Sequence, residues 1–182
     1  MADIEINAEK FFQRLERLID NWTTHKMTSW GGCDAICIPS GPSKDEGAYS
    51  KSSALHLHLF GLEFPDSIIV ISKSNFWFMA TEKKCRYIEA LASQSTTISI
   101  NILKRTKDEG SNKENMHTLI DAIRKSGTRL GSLFKSEYDG NFIPGWMNMI
   151  TDSHLDKVEI GTSIGLLLAV KDATEIVRIG AL

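Results

Sequence analysis

Hydrophobic residues recur at helical spacing near the start of the chain. The recurring positions are Phe11, Leu15, Leu18 and Trp22. They lie three or four residues apart, so they form one apolar face of a helix. Asn7 precedes this face at the position of an N-cap, and Ile6 and Phe11 occupy the two positions of a hydrophobic staple. The pattern predicts a helix over residues 8–24.

Later apolar runs are shorter and are bounded by glycine, proline or polar turns, as is typical of strands. Residues 67–72 and 76–80 flank a polar turn of three residues, which predicts a hairpin. Further strands are predicted over residues 35–38, 97–103, 129–134 and 157–160. Helical patterns cover residues 51–60 (which Gly61 ends), 82–93 and 144–151, and an ambiguous one covers 162–170. Strands that alternate with helices and include one hairpin indicate an α/β fold with a mixed sheet.

Polar segments separate these elements. Residues 40–50 are rich in Ser, Gly and Pro and predict an exposed loop. Residues 106–114 are charged and predict a mobile loop, after which a helix begins at an N-cap near Asn112 and ends at Gly127. Asp172 and Glu175 match a capping box. We therefore expect one lobe over residues 1–170, and we expect residues 171–182 to begin a helix that leads to a further lobe.

Composition excludes several classes of protein. The 182 residues include 21 basic and 23 acidic side chains, for a net charge of −2. A binder of nucleic acid without regard to sequence would carry a basic excess, so this balance does not support direct DNA binding. The longest apolar stretch, residues 164–170, is too short to span a bilayer. Three cysteines without a disulfide-framework spacing favour a reducing intracellular compartment.

One segment matches a known catalytic pattern. Residues 161–165 read Gly-Thr-Ser-Ile-Gly, which resembles the nucleophile elbow of serine hydrolases. Those enzymes place their histidine after the serine, whereas no histidine follows Ser163. The pattern therefore predicts a tight turn and no catalytic serine.

Histidine and cysteine residues do not form a metal-binding pattern either. His56 and His58 lie two positions apart on a predicted helix, where the rotation of about 200° separates their rings. We expect one ring at the edge of the core and the other in solvent. Cys33 and Cys37 are about 13 Å apart if the strand between them is extended, so they are expected to fill the core. The basic clusters around Lys83 and Lys104 are interspersed with acidic residues and predict solvated faces.

Three stretches together resemble the large subunit of the FACT histone chaperone. The first contains Trp22, His25-Lys26, Trp30-Gly31 and Asp34-Ala35. The second spans residues 49–55, and Glu63-Phe64-Pro65 follows it. The match continues through the hairpin and reaches the end of the chain.

This resemblance implies a fold and a function. The start of that subunit is similar to the first lobe of aminopeptidase P and prolidase, a mixed sheet of about six strands flanked by helices. In the peptidases, the metal site lies in the second lobe. The resemblance thus implies a nuclear, chromosome-associated binding module without catalytic, metal or cofactor residues. It would act on nucleosomes during transcription, DNA replication and repair.

The implied partners are core histones and nucleosomes. The HMG-box small subunit of FACT would bind through other domains, and replication or transcription factors are further candidates. Because histones are basic, acidic side chains in loops are the candidate contacts; these are Asp45, Glu46, Glu63 and Asp66. The alternative function is the substrate-gating lobe of an active proline-specific metalloaminopeptidase, whose metal ligands would follow residue 182.

Overall fold

The structure is a computed structural model that describes residues 4–43, 50–94 and 97–170. In this part of the chain, helices and strands alternate almost throughout. The helices are α1 (Ala8–Thr24), α2 (Lys51–Phe60), α3 (Glu82–Ala92), α4 (Glu109–Ser126), α5 (Phe142–Asp152) and α6 (Gly161–Ala169). The strands are β1 (Ala35–Ser40), β2 (Ser67–Ile71), β3 (Asn75–Thr81), β4 (Ser99–Arg105), β5 (Arg129–Ser132) and β6 (Asp156–Glu159). The helix predicted from Asp172 lies outside the described residues.

The six strands form one mixed sheet, as the sequence predicts. Their order is β4-β3-β2-β1-β5-β6. β2 pairs antiparallel with both of its neighbours, and every other pairing is parallel. The carboxyl ends of five strands therefore lie at one end of the sheet. The turn that follows β2 lies at the opposite, amino end.

Helices cover both faces of the sheet. α1, α2, α3 and α6 contribute to one hydrophobic core, and α4 and α5 contribute to a second core on the other face. β3 contributes side chains to both cores: Phe76 and Phe78 belong to the first core, whereas Met79 belongs to the second. Each large apolar side chain buried in this way stabilises the fold by about 1.5–3 kcal/mol.

The first two helices begin and end where the sequence predicts. The side chain of Asn7 accepts a hydrogen bond from the backbone N–H of Lys10, which caps α1. Gly61 ends α2 in a left-handed conformation that glycine adopts without strain. Trp22, on the buried face of α1, donates its indole N–H to the carbonyl oxygen of Cys33, 3.1 Å away. This bond ties α1 to the approach of the first strand.

The loop predicted over residues 106–114 is too long: only residues 106–108 connect β4 to α4, and residues 109–114 are helical. α4 begins at Glu109, because the side chain of Asp108 accepts from the N–H of Gly110 and caps the helix there. Asn112 is not the cap. It is buried inside the helix, where its side chain accepts from the N–H of Thr106 and donates to the carbonyl oxygen of the same residue. These two bonds fix the connection between β4 and α4.

Candidate interaction surfaces

The acidic residues chosen from the sequence fall into two groups. Asp45 and Glu46 lie outside the described residues. Glu63 and Asp66 lie on the connection between α2 and β2, at the end of the sheet where β1 also ends. Glu63 is exposed and Asp66 is half-buried. We call residues 63–66 the acidic connection.

The acidic connection is held in place by hydrogen bonds. The N–H of Asp66 donates to the carbonyl oxygen of Gly41, 2.9 Å away, just after β1 ends. Asp66 has a φ of +55°, a left-handed conformation that aspartate tolerates better than most residues. At the other end, the N–H of Phe64 donates to Nδ1 of His56 at 3.0 Å. The structure therefore places Asp66 beside Gly41, and Glu63 lies three residues earlier on the same connection.

A lysine partly offsets the charge of this connection. Half-buried Lys84 donates from Nζ to the carbonyl oxygen of Pro65. Burial lowers the pKa of Lys84, and the negative charge of Asp66 acts in the opposite direction. The positive charge of Lys84 therefore lies close enough to Asp66 for the two charges to interact. Glu63 is more available to a basic partner, because its side chain is exposed.

Both histidines of α2 are buried, so the prediction that one would lie in solvent is wrong. His56 is fully buried and His58 is 8% exposed. α2 packs against both α1 and α6, and the acidic connection covers the side of the helix on which His56 lies. Nε2 of His56 has no hydrogen-bond partner among the described residues. Burial lowers the pKa of His56 from 6.5 to about 4, so the ring is neutral near pH 7.

The cysteines lie in the core, as the sequence predicts. Burial raises the pKa of Cys33 to about 11 and that of Cys37 to about 12. The indole N–H of Trp146 also donates to Sγ of Cys37 at 3.3 Å. A thiol with so high a pKa is a poor nucleophile and a poor metal ligand. Among the described residues, no group of three or more His, Cys, Asp or Glu side chains is placed to hold a metal ion.

Ser163 is not in a tight turn, in contrast to the prediction. It lies within the first turns of α6, is buried, and donates its hydroxyl to the carbonyl oxygen of Ser29. This hydrogen bond joins α6 to the connection that follows α1. The resemblance to a nucleophile elbow therefore reflects a structural serine in a helix.

The structure also contains a cleft that the sequence does not indicate. It lies at the amino end of the sheet and has a volume of about 550 Å³. We call it the amino-end cleft. The residues that line it come from the connection before β1, the hairpin turn, β3 and α4; they are Lys26, Asp34, Ser72, Lys73, Ser74, Asn75, Trp77, Thr118, Asp121, Ala122, Lys125 and Ser126. No local motif marks this set, because the fold assembles it from three separate segments of the chain.

Asp34 fixes one wall of the amino-end cleft. Its carboxylate accepts from Nζ of Lys26 at 3.0 Å and from the N–H groups of Thr128 and Arg129 at 3.1 Å each. Burial alone would raise the pKa of Asp34, but these hydrogen bonds bring it below its ordinary value of 3.8. Gly127 adjoins this carboxylate with a φ of +146°, and a Cβ at that position would overlap Asp34. The carboxylate thus joins the approach of β1 to the start of β5.

No helix in the described part of the chain is both long and apolar enough to cross a membrane.

A protein-family model matches most of this chain. The model described as the FACT complex subunit SPT16 N-terminal lobe domain matches residues 6–163. A curated relative from Zea mays, named FACT complex subunit SPT16, is 32% identical over 177 residues. That alignment covers 94% of this chain but 17% of the relative, so the chain spans about a sixth of the relative's length.

Solved structures agree with this match. The N-terminal domain of FACT complex subunit SPT16 from Cicer arietinum superposes with a TM-score of 0.87 and 26% identity, covering 95% of this chain and 41% of that one. An X-Pro aminopeptidase from Thermotoga maritima superposes with a TM-score of 0.52 and 17% identity, covering 80% of this chain and 36% of that one. The second likeness shows the fold alone.

Proposed function

Because the chain belongs to the family of FACT complex subunit SPT16 N-terminal lobe domains, we propose that it is a non-catalytic module that binds core histones. The curated relatives are named as subunits of a complex. We further propose that the module acts in the nucleus, in nucleosome reorganisation during transcription, DNA replication and repair. In this proposal residues 1–170 are the binding lobe, and the HMG-box subunit binds elsewhere.

The observation that carries the proposal is family membership, and the acidic connection supplies a physical means of binding. Histones are basic, and exposed carboxylates attract basic segments through a field that acts over about one Debye length, or about 8 Å at physiological salt. Glu63 is exposed on a segment that hydrogen bonds hold at both ends. Asp66 adds a second carboxylate three residues later. The lobe therefore presents carboxylates at fixed positions, to which a basic histone tail can bind.

The chemistry of the described residues also favours binding over catalysis. Ser163, the serine of the elbow-like segment, donates its hydroxyl to a backbone carbonyl. The pKa values of Cys33 and Cys37 are raised well above neutrality. His56 accepts from a backbone N–H and has no bond to a nucleophile. These nucleophilic and basic side chains are occupied in holding the fold together.

Binding to reconstituted histones tests the proposal. Fluorescence anisotropy of labelled H3–H4 tetramers and H2A–H2B dimers would be measured against the 182-residue chain at about 0.15 M salt. A first variant removes four charges while keeping side-chain size: Asp45→Asn, Glu46→Gln, Glu63→Gln and Asp66→Asn. Asparagine also tolerates the left-handed backbone at position 66. We expect affinity to fall about tenfold, because a charge pair at a protein surface typically contributes a few tenths of a kcal/mol and four are lost.

A matched control removes the same number of charges elsewhere. Its substitutions, at exposed positions on three helices, are Glu16→Gln, Asp20→Asn, Glu114→Gln and Asp152→Asn. This variant should bind within about twofold of the unmodified chain. If neither histone complex binds the unmodified chain, the proposal of histone binding by this lobe is wrong. If both variants lose affinity equally, the acidic connection is not the contact.

A further inference from the structure

The amino-end cleft is a second surface, at the end of the sheet opposite Asp66. β1 begins near Asp34 and ends near Gly41, so the length of the strand separates the cleft from the acidic connection. A volume of about 550 Å³ falls in the usual range for sites that hold a compact group.

The cleft presents the chain's most accessible tryptophan. Trp22, Trp30 and Trp146 are fully buried, whereas Trp77 is half-buried and lines the cleft. Three of the nearby α4 residues, Thr118, Ala122 and Ser126, have small side chains. A half-buried indole beside small side chains offers apolar contact area to an incoming large side chain. Tryptophan is also among the residues that most often dominate binding energy at interfaces.

The charge of the cleft is the reverse of that of the acidic connection. Three lysines line the cleft against two aspartates, although the chain as a whole has a net charge of −2. Asp34 is already occupied by Lys26 and two backbone N–H groups. Lys73 and Lys125 form no ion pair within the described chain. Asp121 is the remaining acidic group, so the available charge in the cleft is positive.

The walls of the cleft are held in place before anything binds. The N–H of Ser72 donates to the carbonyl oxygen of Asn75 at 2.9 Å, and the N–H of Asn75 donates to Oγ of Ser72 at 3.1 Å. The carbonyl oxygen of Ser74 accepts from the N–H of Ser99 on β4 at 2.9 Å. The turn that carries Lys73 is therefore fixed to the sheet. A preformed site loses less conformational entropy on binding than a mobile one.

We propose that the amino-end cleft binds a short acidic segment of a partner protein. One large apolar side chain of that segment packs against Trp77, and flanking carboxylates pair with Lys73 and Lys125. The chemistry favours a peptide over a nucleic acid, because two available lysines next to Asp121 release few counterions from a phosphate backbone. An acidic peptide with one large apolar side chain can contact both the indole and the lysines of the cleft, and both contacts stabilise the complex.

Binding of synthetic peptides to the 182-residue chain tests this proposal. The probe is a fluorescein-labelled peptide of sequence DDEFDDE, measured by anisotropy and by tryptophan fluorescence. Control peptides replace its phenylalanine with alanine, or its acids with asparagine and glutamine. We expect saturable binding of the probe and a change in tryptophan emission that Trp77→Phe removes. Each control peptide should bind at least about tenfold more weakly.

Variants of the protein locate the site. A double variant, Lys73→Glu with Lys125→Glu, should weaken binding of the probe about tenfold or more. The control double variant, Lys107→Glu with Lys113→Glu, makes an equal change of charge at exposed positions outside the cleft. Its affinity for the probe should stay within about twofold of that of the unmodified chain. Far-UV circular dichroism checks that each variant folds. The control peptides test the proposal on the unmodified chain even if a variant fails to fold. The proposal is overturned if the probe does not bind, if the two double variants behave alike, or if an oligonucleotide of twelve thymidines displaces the probe.

Discussion

The buried imidazole of His56 should make the stability of this lobe depend on pH. The folded chain holds the pKa of His56 at about 4, against an ordinary value of 6.5. As pH falls below 6.5, His56 therefore becomes protonated in the unfolded chain, whereas in the folded chain it stays neutral until pH approaches 4. The free energy of unfolding is then highest near neutral pH and falls as acid is added.

The size of the effect follows from the two pKa values. A difference of one pKa unit corresponds to about 1.4 kcal/mol between the two states. Between pH 7 and pH 5 the histidine contributes a loss of about 2 kcal/mol, and the loss approaches its limit of about 3 kcal/mol near pH 4. Against a typical total of 5–15 kcal/mol, this is a measurable share of the stability.

A variant isolates this histidine from the other ionisable groups. His56→Gln keeps an acceptor for the N–H of Phe64 but cannot be protonated. The free energy of unfolding would be measured by urea titration at pH 7 and pH 5 for both proteins. The unmodified chain should lose about 2 kcal/mol more than the variant over that interval. If the two proteins lose stability in parallel, then His56 is protonated in the folded chain and its burial does not exclude the charge.

Four other outcomes follow from the packing. Gly127→Ala should lower the free energy of unfolding by about 3 kcal/mol, because a Cβ there overlaps Asp34. Gly61 has a φ of +76°, but no atom lies within 4 Å of a Cβ added there. Gly61→Ala should therefore lower the free energy of unfolding by only about 1 kcal/mol, measured by urea titration. Asp34→Ala removes the hydrogen bonds from Lys26, Thr128 and Arg129 and should cost about 2 kcal/mol by thermal or urea unfolding. A thiol reagent should label no cysteine in the folded chain and three after unfolding in urea, because the side chains of Cys33, Cys37 and Cys85 are all buried.

Local signals in the sequence account for most of the fold. α1 and α2 are predicted to the residue, because helical spacing of apolar side chains coincides with Asn7 at one start and Gly61 at one end. The hairpin of β2 and β3 follows from two β-rich runs around a polar turn. The remaining strands and helices are predicted to within a few residues at their ends. Each of these features depends on residues that are neighbours along the chain.

The errors arise where tertiary contacts decide between local alternatives. Asp108 and Asn112 are both good caps, and the choice between them depends on the pairing of Asn112 with Thr106 across the connection from β4. A helix of ten residues would usually leave one side in solvent, yet α2 buries both His56 and His58 because it packs on α1 and α6. Periodicity carries no information about the number of neighbours that a helix has.

The two candidate sites also differ in whether they can be predicted from local sequence. Glu63 could be chosen from the sequence because an acidic residue in a connection between two predicted elements is a candidate contact for a basic partner, and its side chain is exposed. Lys26, Lys73 and Lys125 lie on three separate segments and have no shared motif. Only the fold shows that they line one cleft together with Trp77. The amino-end cleft therefore could not be predicted from the sequence.

The direction of β2 explains how one sheet can support two surfaces of opposite charge. Because β2 runs antiparallel to its neighbours, its two connections lie at opposite ends of the sheet: the acidic connection precedes it, and the turn with Lys73 follows it. The strand between them is buried along its whole length, so neither connection can shift without disturbing the core. Charges this far apart are largely screened from each other at physiological salt. Substitutions in one surface should therefore leave binding at the other unchanged, which makes the two proposals separately testable.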